Sequence, residues 1–228
     1  MAISTSVHSS RDFETELREL HSQLLAMGAR CERIVGIAFE AFVQEDPGAV
    51  GQVEELDARI DRDEIQIHSL ILRILALRQP VADDLRFLAM ALRLITDLER
   101  IGDEAINITE RIVKGDGLAK ALVGAELASM AAAAREMLHQ ALDAFVRWDA
   151  QVAENVLGSD DIVDRSCASI IGAMTAHMST SAHEVHAGLR IIRVAKYLER
   201  IADHATNVAE QVIFMVNGED VRHGQWQR

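Results

Sequence analysis

Four times the chain places an acidic residue four positions before an aspartate: Asp57/Asp61, Glu99/Asp103, Asp160/Asp164 and Glu199/Asp203. On a helix such residues share a face, with Cβ atoms roughly 5–6 Å apart. Each pair therefore sets two carboxylates side by side, and two pairs on adjacent helices bring four together. Oxygen-rich sets of this kind hold hard or borderline cations such as Mg2+, Mn2+ or iron. One pair alone would mean little, because acids four apart abound on solvated helices; recurrence at equivalent places is the stronger signal. The alternative is a set of wet helical faces balanced by Arg59, Arg62, Arg100, Arg165 or Arg200. Like charges at i, i+4 cost only about 0.2–0.5 kcal/mol per pair, so repulsion does not exclude it.

The recurrence comes from a duplication. Arg93–Glu110 is repeated without a gap at Arg193–Glu210, with identities at Arg93/Arg193, Leu98/Leu198, Glu99/Glu199, Arg100/Arg200, Ile101/Ile201, Asp103/Asp203, Ala105/Ala205, Asn107/Asn207 and Glu110/Glu210. Chance would give about one match in such a window. Copying a fold requires only the apolar face to be kept, whereas here Glu99, Asp103, Asn107 and Glu110 recur as well. Asn107, Glu110, Asn207 and Glu210 are thereby secondary candidates beside the eight carboxylates, and the two asparagines can equally be polar helix-packing residues.

Competing chemistries find little support. Glu64 and His68 are four apart, the wrong spacing for the Glu-x-x-His ligands of a di-iron bundle. No P-loop, Gly-x-Ser-x-Gly or Cys/His arrangement is present, so an enzyme is not expected. His68, His139, His177 and His204 are expected to be satisfied or exposed side chains. Cys31 and Cys167, far apart and without a CxxC, are expected to be small core residues or free thiols.

The elements that must position the acids are helices. Hydrophobic residues make up 49% of 228, aromatics only 4%, and two prolines are present; Ala, Leu, Ile, Glu and Arg dominate, which favours an all-α chain. The charge of 23 minus 36, or −13, lacks a basic run, so nucleic acid is an unsuitable partner. The N-terminus has no signal-peptide pattern and no apolar run reaches about 18 residues, from which a cytoplasmic protein is expected.

The spacing predicts a polar tail over 1–10, closed by a Ser9/Asp12 capping box, then a helix to about Gln44. Asp46-Pro47 opens a second helix that runs to Arg78 before Pro80. In it Val53, Leu56, Ile60, Ile67, Ile71 and Ile74 form one stripe, and Asp57, Asp61, Glu64 and His68 another about 80° away, at about 100° per residue. A third helix is predicted from Ala82 to Lys114, before Gly115-Asp116-Gly117 breaks the pattern. The second half repeats the plan over Leu118–Arg147, Asp149–Met178 and Ser181–Asn217, with a Ser181/Glu184 capping box and a stop at Gly218. Two antiparallel three-helix bundles, residues 11–117 and 118–217, with a tail over 218–228, are the expected organisation.

Several of these pieces together resemble the PhoU family: Asp57-x-x-Ile60-Asp61, Leu77-Arg78-Gln79-Pro80 with Asp84-Leu85-Arg86, the paired Leu98-Glu99-Arg100-Ile101-Gly102-Asp103 and Leu198-Glu199-Arg200-Ile201-Ala202-Asp203, and Gly218 with Arg222-His223. The resemblance runs from about Phe13 to His223. It implies two three-helix bundles, a cytoplasmic location, homodimers, and Glu(Asp)-x-x-x-Asp motifs that hold multinuclear clusters of a metal such as iron, manganese, magnesium or zinc. Those motifs fall on the four pairs above. It also implies a negative regulator of phosphate uptake and the phosphate-starvation response, an adaptor between the ATPase subunit of a phosphate ABC transporter and a sensor histidine kinase, reaching the membrane only through those partners. Glu104 stands where such repeats often have histidine, as at His204, so the two halves are expected to differ. A carboxylate-bridged metalloenzyme and a plain helical scaffold are the other readings.

Overall fold

The computed structural model describes residues 5–113, 117–218 and 221. Among these there is no strand, and six helices carry the chain: α1 (Thr5–Gln44), α2 (Val50–Arg78), α3 (Ala82–Thr109), α4 (Gly117–Arg147), α5 (Ala150–Thr180) and α6 (Val185–Asn217). Helices α1–α3 form one antiparallel bundle and α4–α6 the other, and α3 packs along α6 to join them. The stripes read from the sequence are the buried ones: Leu24, Met27, Ile34 and Ala38 on α1, and Val53, Ile60, Ile67, Ile71 and Ile74 on α2, are closed to solvent. Helix α1 also approaches α4 at Gly28, where a Cβ would meet Leu142 Cδ2 at 2.8 Å.

Helix ends follow the turn chemistry in most places. Asp46 caps a short 3-10 turn, Pro47–Ala49, and accepts the Gly48 N–H at 2.8 Å before α2 begins. Asp149 caps α5 by accepting from the Gln151 N–H (2.9 Å) and Val152 N–H (3.2 Å). Gly218 ends α6 at φ 73°, its N–H on the Phe214 carbonyl at 2.9 Å. A Cβ there would run into the Arg86 guanidinium, so glycine is required twice over.

Three boundaries differ from the expectation. Helix α1 is already formed at Thr5, so Ser9 lies inside it and the Ser9/Asp12 box does not cap it; the amphipathic pattern carries the helix past a weak local start signal. Ser181 makes no side-chain cap: its carbonyl accepts the Glu184 N–H at 2.9 Å in a 3-10 turn, Ala182–Glu184, placed ahead of α6. Helix α3 stops at Thr109 rather than Lys114, because the Thr109 hydroxyl donates to the Ile106 carbonyl at 2.7 Å and the next amides, Arg111 and Ile112, tighten onto carbonyls three residues back. Gly115-Asp116 and Arg222-His223 lie outside the described residues.

Candidate metal centre

In the first bundle the acidic pairs face each other across α2 and α3. Asp57 is half-buried, and its Oδ1 is closed to solvent with no hydrogen-bond partner. Burial, with Asp61 and Asp103 nearby, pushes its carboxyl up to about 6. Glu99 is raised too, by burial first and then by Asp103, with Glu64 and Asp61 adding and Arg100 opposing. Asp57, Asp61, Glu99 and Asp103 thus share one field, and Glu64 joins them. Arg100 lies along its edge, 3.5 Å from both Glu99 Oε2 and Asp103 Oδ2, while Arg59 turns away to Glu55.

The close approach depends on Gly102. A Cβ at that position would lie 2.9 Å from Asp57 Oδ1, so the carboxylate comes down onto the α3 backbone only because the side chain is absent. An inward carboxylate oxygen with nothing to accept from is expensive to keep. A cation would supply what it lacks, and an all-carboxylate donor set suits Mg2+, Mn2+ or iron.

In the second bundle Asp160 and Asp164 on α5 and Asp203 on α6 each offer an oxygen within 4.8 Å of the others. Asp160 is raised by burial, then by Asp164 and Asp203, and lowered by the Thr206 hydroxyl, which donates to Oδ1 at 3.4 Å. Asp203 is raised by desolvation of its carboxyl, then by Glu199 and Asp164, with His204 and Lys196 opposing. Glu199 stands apart in one respect: Lys196 Nζ donates to both its oxygens, at 2.9 and 2.6 Å. The buried Cys167 thiol is pushed up to about 11, chiefly by burial, with Glu199 and Asp164 adding and Lys196 opposing.

The secondary candidates do not gather at either cluster. Four residues of helix advance about 400°, so an i, i+4 row drifts by about 40° per step and has left the acidic face by Asn107 and Asn207. Both work in the α3–α6 seam. Asn207 Nδ2 donates to Asp97 Oδ1 at 3.0 Å, where His204 Nδ1 also sits at 2.9 Å. Asn107 Nδ2 donates to Glu104 Oε2 at 3.2 Å, and Arg200 reaches across to Glu104 Oε1 at 3.3 Å. Glu110 pairs with Arg111 at 2.8 Å beyond the end of α3, and Glu210 lines a surface cavity with Arg93, Thr96 and Asp97. Glu64, Gly102, Lys196, Cys167 and Thr206 were missed by the pair motif. Their signal lay in aligning the halves, where Glu64 falls on Cys167, Thr96 on Lys196, Gly102 on Ala202 and Ile106 on Thr206.

The fold and the twin acidic faces define a class: tandem three-helix-bundle proteins with a carboxylate cluster in each repeat. The PhoU domain model matches residues 24–112 and again 127–212. The chain belongs to the PhoU family. It is 39% identical over 217 residues to the phosphate-specific transport system accessory protein PhoU homolog of Pseudomonas aeruginosa, covering 95% of this chain and 90% of that protein. It is 30% identical over 222 residues to the accessory protein PhoU of Escherichia coli, covering 97% and 92%. The crystal structure of PhoU from Pseudomonas aeruginosa superposes with a TM-score of 0.85 at 36% identity, over 91% of this chain and all of that one (100%). That of the phosphate transport system regulatory protein PhoU from Streptococcus pneumoniae gives 0.84 at 26% identity, over 92% and 99%.

Proposed function

We propose that this protein is the accessory regulator of a phosphate-specific transport system, restraining phosphate uptake and phosphate-starvation signalling by binding partners rather than by catalysis. The observation that carries the reading is the end-to-end likeness to proteins named for that role, both halves included. Its partners are the ATPase subunit of the phosphate transporter and the sensor histidine kinase of the starvation response, and it works as a cytoplasmic homodimer. No helix among the described residues is long and apolar enough to cross a membrane, which agrees with recruitment through those partners. Deleting the gene should switch on phosphate-scavenging genes in phosphate-rich medium, and restoring it should silence them. Unchanged expression, in this deletion and in a double deletion with any paralogue, would overturn the assignment.

The same proposal gives the clusters a metal: Asp57, Asp61, Glu99 and Asp103 as one ligand set, and Asp160, Asp164, Glu199 and Asp203 as the other. Bound cation there supplies positive charge that pins α2 to α3 and α5 to α6, adding rigidity to the surface that partners read. The orphaned Asp57 oxygen and the Gly102 cradle favour this over a merely wet face.

A further inference from the structure

Neither acidic cluster uses Leu77-Arg78-Gln79-Pro80 or Asp84-Leu85-Arg86, the stretch that joins α2 to α3. Part of it serves the fold. Arg78 donates to Glu16 at 2.9 Å, Gln79 ends α2 in the left-handed region at φ 49°, and Arg86 is paired with Asp83. The rest is left over: Leu77, Val81 and Leu85 are exposed, and the half-buried Asp84 has no hydrogen bond or ion pair among the described residues.

Asp84 opens onto a cavity of about 330 Å3 where the bundles meet, walled by Leu17 and His21 of α1, Phe87 of α3 and Trp148 beyond the end of α4. Trp148 stands at φ 57°, a place where helix ends favour glycine and a bulky residue is strained. Its ring stacks on Phe87 with centroids 5.7 Å apart, yet the residue stays 46% exposed. Burial holds His21 below its ordinary pKa, so the inner wall carries no charge near neutral pH. At the rim Arg18 turns back to the Glu14 carboxylate at 3.5 Å and Asp83 is taken by Arg86, which leaves Asp84 as the unanswered charge.

We propose that this end of the molecule is a docking surface for a partner protein, a segment of which inserts a large apolar side chain between Leu17, Phe87 and Trp148 and sets a neighbouring Lys or Arg on Asp84. The proposal rests on the partner-binding reading above and deepens it by naming the surface. An exposed tryptophan beside a concave apolar wall is the kind of anchor on which interface energy concentrates. Leu77, Val81 and Leu85 extend the apolar patch around it. The free carboxylate, on a chain of net charge −13, selects a basic neighbour for the anchor and repels an acidic one.

The test measures binding of the full-length chain to the purified ATPase subunit of the phosphate transporter and to the cytoplasmic part of the sensor kinase. Asp84→Lys, on the rim, should weaken at least one of them by about tenfold or more. Trp148→Ala should do likewise, and the same charge change at Glu40, toward the other end of α1, should do nothing. Parent binding should weaken as salt rises, and Asp84→Asn should flatten that dependence. Melting curves check Trp148→Ala, which loses its stack on Phe87; Asp84→Lys removes no packing and decides the matter if the tryptophan variant does not fold. If the parent binds a partner and Asp84→Lys binds it as tightly, the surface is wrong while the partner reading stands. If the parent binds neither, the partner reading falls and the surface with it. Dissociation of a homodimer by Asp84→Lys would make the occupant a second copy and overturn the proposal as well.

Discussion

In the first bundle Gly102 lets the Asp57 carboxylate settle against α3 with an oxygen that nothing in the protein satisfies. In the second, Ala202 stands at that position, and Asp160 is met by the Thr206 hydroxyl. The same divergence runs outward. Arg100 stays at home along Glu99 and Asp103, whereas Arg200 crosses the seam to Glu104 and Lys196 takes over Glu199. The seam has shed its symmetry as well: Asp97 answers His204 and Asn207, but its counterpart Tyr197 has no charge with which to answer Glu104. Duplication preserved the paired carboxylates and let their surroundings drift. Equal motifs therefore do not make equal sites, and the difference lies in what meets the charge: Arg100 at the edge of the first cluster, the Thr206 hydroxyl and Lys196 in the second.

The largest effect that separates the halves is expected from removing ligands in one at a time. Glu99→Gln with Asp103→Asn deletes two charges and keeps shape. It should lose the first half's metal and the stability that metal confers, about 2.7 kcal/mol at a free metal concentration near 100 Kd. Asp160→Asn with Asp164→Asn should do the same to the second half only. Metal analysis and melting curves with and without chelator check both. If either double mutant keeps its full metal content and is merely as stable as the parent or slightly more so, that half is a solvated face.

How much of this was legible in the sequence depended on periodicity. The six helices, their apolar seams and the four acidic pairs all follow from spacings of three and four. Asp57 and Asp103 meet across α2 and α3 because both flank buried seams, Ile60 on one helix and Ile101 on the other. Long-range polar partners were not legible. That Asn207 and His204 would converge on Asp97 of the other bundle depends on how α3 crosses α6, which no local pattern encodes. Ser9 failed as a cap because the helix already runs from Thr5, ahead of the local signal. Gly102 was visible as a difference between repeats, but its meaning required knowing that the Asp57 carboxylate lies over it.

A smaller effect should come from exchanging the residues beneath the inward carboxylates. Gly102→Ala gains about 1 kcal/mol of helix propensity, but its Cβ must displace Asp57 Oδ1 from 2.9 Å. Metal-free stability should therefore stay within about 1 kcal/mol of the parent, while metal affinity of the first half drops. Ala202→Gly should cost about 0.5–1 kcal/mol through the helix alone and leave metal affinity of the second half unaltered. Equal responses of the two halves would remove Gly102 from the site.

The smallest effect, and the one that sharpens the comparison furthest, is the pH dependence of the metal-free protein. Asp57 titrates near 6 in the folded chain against 3.8 for an ordinary aspartate, so between those values the folded state binds a proton that the unfolded state does not. Its contribution to stability is thus fully present below 3.8 and is lost as pH rises through about 6. Other carboxylates, salt-bridged elsewhere, act in the opposite direction, so the quantity to measure is the difference between parent and Asp57→Asn. Without metal, the variant should be the more stable of the two above pH 6, where it avoids a buried negative charge, and the advantage should vanish toward pH 4. With metal the order reverses at neutral pH, since the parent keeps its ligand, and the parent's gain from metal should fade as acid protonates Asp57. Asp160→Asn should show the same signs with a smaller amplitude, because the Thr206 hydroxyl already favours the ionised form of Asp160. A difference between parent and Asp57→Asn that does not vary with pH would mean that Asp57 is solvated after all, and the contrast between the halves would then reduce to Lys196 and the Thr206 hydroxyl.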